Sequence, residues 1–222
     1  MLILKAFFVS LCLCGLTFPV HELSAILLAA GQSRRMGAFK PLLPFGDKTV
    51  IESCIDNLRS SEIDEIVVVV GHRIDEVQGH LRTADVRFAV NTDPESEMGV
   101  SIARGVEQVS DDAKALLIAL VDHPAVQSQT IKQIINAWSS GAPLVQPEFE
   151  GRGGHPVLVD LKYRDELLDL DPQKGLRAFF DAHRRDVRRL PVDSPYVARD
   201  MDTWEDYQRL HLEMFGRPPE PL

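Results

Sequence analysis

The sequence predicts an α/β domain whose sheet is mostly parallel and covered by helices on both faces. Three observations carry this. Ser24–Leu28, Ile66–Val70 and Ala115–Leu120 are apolar runs without the every-second-residue polarity of a half-solvated strand, the mark of strands buried on both sides. The stretches between them hold apolar residues at helical spacing, and such strand–helix alternation closes through right-handed crossovers. Length agrees: 222 residues, 45% hydrophobic and 26% charged, supply one core of ordinary size.

The elements follow in order. After the strand Ser24–Leu28, Gly31 and Gly37 free the backbone to turn its N–H groups toward an anion, and Arg34, Arg35 and Lys40 add positive charge within one loop. This is a phosphate cradle in outline, although its spacing is not that of a P-loop and Lys40 is followed by Pro41. Thr49–Ser60 reads as a helix, and Cys54 falls on its apolar face with Val50, Ile51, Ile55 and Leu58. The strand Ile66–Val70 ends at Gly71. A helix over Ile74–Leu81, a strand Val86–Val90, a polar loop Asn91–Glu97 and a helix over Val100–Val109 come next. Ala115–Leu120 runs directly into Val121-Asp122-His123-Pro124, and Thr130–Trp138 is the following helix. In such sheets ligands sit at the carboxyl ends of strands, the edge that holds both the Gly31 loop and Asp122.

The second half is less regular. Leu144–Gln146 and Pro156–Val159 read as strands joined by the glycine-rich turn Glu150–His155. A helix Leu176–Ala182, a strand Val187–Leu190 and a final amphipathic helix from Asp202-Thr203 to about Phe215 complete the domain, taken as residues 23–215, before a Pro-rich tail at 216–222.

Composition narrows the function. A formal net charge of -9 argues against nucleic-acid or anionic-membrane binding, which draw on cationic side chains. The one dense basic run, His183–Arg189, reads as a solvated helix end and strand. Three cysteines make neither a disulfide framework nor a zinc site, which suits a reducing, cytoplasmic setting. Residues 1–22 form an apolar leader, too short for a comfortable membrane span, so no stable membrane insertion is expected. It has three readings: an export signal, a membrane-proximal anchor, or a start assigned too far upstream. The last is favoured because a buried strand begins almost at once, and expression from about Val20 tests it.

Taken together, Leu28-Ala29-Ala30-Gly31-x-Ser33-x-Arg35-Met36-Gly37-x-x-Lys40, Asp122-x-Pro124, Gly151-x-x-Gly154-His155-Pro156, Lys174-Gly175 and Asp202-Thr203 resemble the molybdenum cofactor nucleotidyltransferases, most closely the cytidylyl-transferring members. The resemblance covers about Leu23 to Leu210. It implies a Rossmann-like nucleotidyltransferase domain, Mg2+, CTP, a molybdopterin-type acceptor, and a molybdoenzyme that receives the finished cofactor. Ala30 stands where guanylyl-transferring relatives carry glycine, which tilts the base toward cytosine.

The same resemblance assigns roles. Leu28, Ala29, Ala30, Gly31 and Ser33 hold the nucleotide; Arg35 neutralises the β- and γ-phosphates and Lys40 reaches the α-phosphate, with Arg34 turned to solvent. Asp122 and Asp202 are the metal ligands, and Arg35, Lys40 and Asp122 make the catalytic set, from which His123 is left out. Gly99 and Ser101 face base and sugar, while Gly154, His155, Lys174 and Gly175, with Arg177 as a weaker candidate, face the acceptor. Several residues have plainer alternatives: Asp122 could simply end a strand, Asp202 or Ser101 could cap a helix, and His155 could satisfy a turn. A guanylyl or a sugar- or polyol-phosphate nucleotidyltransferase, and a non-catalytic cofactor carrier, stay open beside the cytidylyl reading.

Overall fold

A computed structural model of the chain describes residues 22–63 and 65–220. The leader and its Cys12 and Cys14 lie outside the described residues. In chain order the elements are β1 (Leu23–Ala29), β2 (Pro44–Phe45), β3 (Lys48–Thr49), α1 (Val50–Arg59), β4 (Glu65–Val70), α2 (Ile74–His80), β5 (Arg87–Val90), α3 (Met98–Val106) and β6 (Ala115–Leu120). There follow α4 (Ser128–Ser139), β7 (Leu144–Phe149), β8 (Arg152–Gly153), β9 (Val157–Asp160), α5 (Arg164–Leu168), α6 (Gly175–Ala182), β10 (Val187–Pro191) and α7 (Trp204–Phe215).

The main sheet runs β10-β7-β9-β6-β1-β4-β5, with β8 paired to β7 at the tip of a hairpin. β1, β4, β5 and β6 pair in parallel, as do β7 and β10, but β9 lies antiparallel to both its neighbours. The sheet is therefore mixed. β1 and β4 are buried along almost their whole length, which is why their sequences show no alternation. Two apolar clusters cover the faces, one built on α1 and α4, the other on α3, α5 and α6.

Sequence order places the site. From β1 the chain moves outward through β4 to β5, then returns to lay β6 on the other side of β1. That reversal leaves a crevice at the carboxyl ends of β1 and β6, where the following loops diverge. The plainer capping alternatives for two residues fall away here. Ser101 does not cap α3, which begins at Met98 and leaves Ser101 buried inside its second turn. Asp202 does not cap α7: Thr203 takes that place, in a reciprocal capping box with Asp206, so the Asp202 carboxylate is free for other work.

Candidate active site

The loop leaving β1 is set by Ser33, whose left-handed backbone (φ 51°) lets its carbonyl accept from the N–H groups of Met36 and Gly37 at 3.1 and 3.2 Å. Its hydroxyl accepts from the Lys40 backbone N–H at 3.2 Å. This bend brings Lys40 back beneath the loop into a 3-10 turn, where its side chain is only 9% exposed. The ammonium stands between two carboxylates, 3.2 Å from Asp202 Oδ1 and 3.6 Å from Asp122 Oδ2. Arg35, open to solvent, reaches Asp202 Oδ2 at 2.7 Å. A buried ammonium is tolerable only with such partners, and one basic side chain thereby draws together carboxylates 80 residues apart.

These groups line one cavity of about 400 Å3 with Leu28, Ala30, Gly31, Ser33, Arg34 and Ser101. Ala29 and Gly99 stay outside it: Ala29 is buried in the core, and Gly99 faces the Leu170–Pro172 backbone. Arg34 is largely exposed, as expected, and there it bonds Gln32 Oε1 at 2.7 Å and pairs with Glu95, clasping the loop after β1 to the loop after β5. Asn91, read from the sequence only as the start of a polar loop, sits at the carboxyl end of β5 and donates to Ser96 Oγ and Ser101 Oγ, both at 2.8 Å. Its place just past a strand of a parallel sheet was the available signal.

The expected acceptor residues divide. His155 sits near His123 within the influence of Asp122 and Gly154 packs against the Val197 backbone, whereas Lys174 pairs with Asp171 at 3.3 Å and Gly175 lines a separate acidic hollow by α5 and α6. His123, left out of the expected active set, sits against the proposed metal ligand: its Nε2 is 3.6 Å from Asp122 Oδ1 and its Nδ1 is 3.0 Å from the Tyr196 carbonyl. A carbonyl only accepts, so Nδ1 carries a proton. Burial and the adjacent His123 push the His155 imidazole down to about 4, against an opposing pull from Asp122. Behind the site Cys54 is buried, and burial together with Asp122 raises its thiol far from reactivity.

Asp122 Oδ1 is shut off from solvent without a hydrogen-bond partner. An orphaned carboxylate oxygen beside a second convergent carboxylate is a donor set that suits a hard divalent cation. Among the described residues no third His, Cys, Asp or Glu joins them, so phosphate and water oxygens would complete the shell. The arrangement can thus hold a metal-bound polyphosphate against fixed cations.

The family profile of the MobA-like NTP transferase domain matches residues 25–187. The chain belongs to that family. It is a nucleotidyltransferase with the corresponding α/β fold. Rv0371c of Mycobacterium tuberculosis superposes with a TM-score of 0.78 at 28% identity, covering 86% of this chain and 98% of that one; a structure of Rv0371c in complex with manganese gives 0.74 at 26% identity over 85% and 97%. A nucleotidyl transferase from Methanothermobacter gives 0.76 at 26% identity, over 88% and 98%. Among curated proteins, nicotine blue oxidoreductase of Paenarthrobacter nicotinovorans is 27% identical over 84% of this chain and 95% of its own length. The bifunctional protein GlmU of Bordetella petrii is 30% identical over 62% of this chain and only 31% of its own. Among the described residues of this MobA-like domain, no helix is long and apolar enough to cross a membrane.

Proposed function

We propose that the protein transfers CMP from CTP to a molybdopterin-type acceptor bearing molybdenum, with Mg2+ and release of pyrophosphate. The observation that carries the reading is Lys40, held between Asp122 and Asp202 under the phosphate-facing loop. A triphosphate entering beside Asp93, Asp122 and Asp202 would be repelled unless side-chain cations offset them and a metal ion adds to that charge. Arg34, Arg35 and Lys40 supply the protein's share at this cavity.

An acceptor phosphate oxygen attacks the α-phosphorus; the bond to the bridging α–β oxygen breaks, and its electrons leave with pyrophosphate. Lys40 meets the charge that grows on the α-phosphate oxygens, while Arg35 and the loop N–H groups hold the departing pair. Asp122 and Asp202 would hold Mg2+, which when bound neutralises phosphate oxygens and orients the leaving group. The Ala30 methyl, on the cavity wall, supports cytosine over guanine. A relative matched along 95% of its length carries an oxidoreductase name; an ammonium bracketed by two carboxylates favours phosphoryl chemistry over redox chemistry here.

The test is pyrophosphate release from each of the four nucleoside triphosphates with Mg2+, with and without molybdopterin. Release from CTP only in the acceptor's presence is expected. Preference for GTP, or release driven by a sugar or polyol phosphate, would move the assignment within the family. Tight cofactor binding with no release from any triphosphate would point to a carrier.

A further inference from the structure

The segment between β10 and α7 is laced onto the strand end that presents Asp122. His123 Nδ1 donates to the Tyr196 carbonyl at 3.0 Å, the His155 backbone N–H to Val197 O at 2.8 Å, and the Met201 N–H to Asp122 O at 3.0 Å. Val197 and Met201 are fully buried, so this strap is packed down as well as tied. Gly154 is part of the same seat: a Cβ there would stand 2.1 Å from Val197 O, so only glycine lets hairpin and strap meet. The strap leads directly into Asp202, whose side chain bonds Lys40 and Arg35.

We propose that His123 and Gly154 are positioning residues that seat the Tyr196–Met201 strap, fixing Asp202 opposite Asp122 at the metal–nucleotide site. The inference rests on the metal role given to those aspartates above. It also gives the Gly154-His155 turn a different task from acceptor contact. Neither residue lines the nucleotide cavity, and the His155 N–H is already spent on the strap. Carboxylates at a metal site must be held within about 0.5 Å of productive geometry. Losing an outer partner of this kind typically weakens metal binding by about 10- to 100-fold.

The experiment titrates the full-length protein with Mn2+ in the presence of CTP, reading free Mn2+ by electron paramagnetic resonance. His123→Leu removes the donor to Tyr196 and is expected to weaken Mn2+ binding about 10-fold or more. His123→Asn, whose amide can donate from near the Nδ1 position, is expected to restore it to within about 3-fold, a small share of that loss. The acceptor KM of His123→Leu should stay at the wild-type value. Gly154→Ala should shift Mn2+ binding in the same direction; if it does not fold, the two His123 variants decide. Wild-type Mn2+ affinity in His123→Leu, or equal defects in the Leu and Asn variants, overturns the inference alone, provided Asp202→Asn still weakens binding. If Asp202→Asn leaves Mn2+ binding intact, the inference and the metal assignment beneath it both fail.

Discussion

Lys40 is the residue on which the site's electrostatics turn. Its ammonium offsets part of the charge of Asp122 and Asp202 at 3.6 and 3.2 Å, so two predictions of opposite sign follow from its removal. Turnover in Lys40→Ala should fall by about 10²- to 10³-fold, the loss typical of one preorganised donor. Binding of Mn2+ in the absence of nucleotide should tighten in the same variant, because the carboxylates lose their internal counter-ion. A titration showing no tightening would mean the ammonium does not occupy the cation's place. Asp122→Asn, folded as judged by circular dichroism, should lose most of its Mn2+ affinity. His155 gives a pH prediction. Its imidazole titrates near 4 in the fold and near 6.5 when unfolded, so between these values the unfolded chain binds the extra proton. Stability should therefore rise with pH across that window, by up to about 3 kcal/mol. Urea midpoints at pH 4.5 and 7 check this, and His155→Asn should flatten the difference. At this scale the family resemblance carried by the ordered motifs named Arg35, Lys40, Asp122 and Asp202, and the structure brings the four together. The sequence could not show His123 or Asn91: a histidine after an aspartate and an asparagine after a strand acquire meaning only once Tyr196 and Ser101 are brought to them.

Among the elements, the strands were legible as continuous apolar runs, and β6 begins and ends where the pattern puts it. The direction of β9 was not. Val157-Leu158-Val159 reads alike whichever way it runs, and only its pairing with both β6 and β7 fixes it antiparallel. The five residues of α5 were too few to show a period. Glu65 opens β4 at the sheet edge opposite the site, where its carboxylate accepts from Arg87 at 2.5 Å, from the Ser110 N–H at 3.1 Å and from Ser24. Glu65→Ala strands those donors and should cost about 1–3 kcal/mol. The urea midpoint should drop with turnover unchanged, because nothing in the cavity leans on this end of the strand.

For the whole molecule, stability should report the coupling of metal and nucleotide. Mg2+ alone meets an ammonium already seated between the aspartates, and CTP alone meets their charge, so each should raise the melting temperature little. Both together, with the metal–nucleotide complex at about 100 times its dissociation constant, should add about 2.7 kcal/mol to stability, which differential scanning calorimetry reads as a rise in melting temperature. Equal shifts with Mg2+ alone would contradict this. The contact between Lys40 and Asp202 spans 162 positions of the chain. During synthesis the glycine loop and β6 can therefore assemble long before their second carboxylate leaves the ribosome. A growing polypeptide that has not reached Asp202 has the cradle with only the first of the two carboxylates, so on the metal role proposed above it gains metal-dependent turnover only once that residue has emerged.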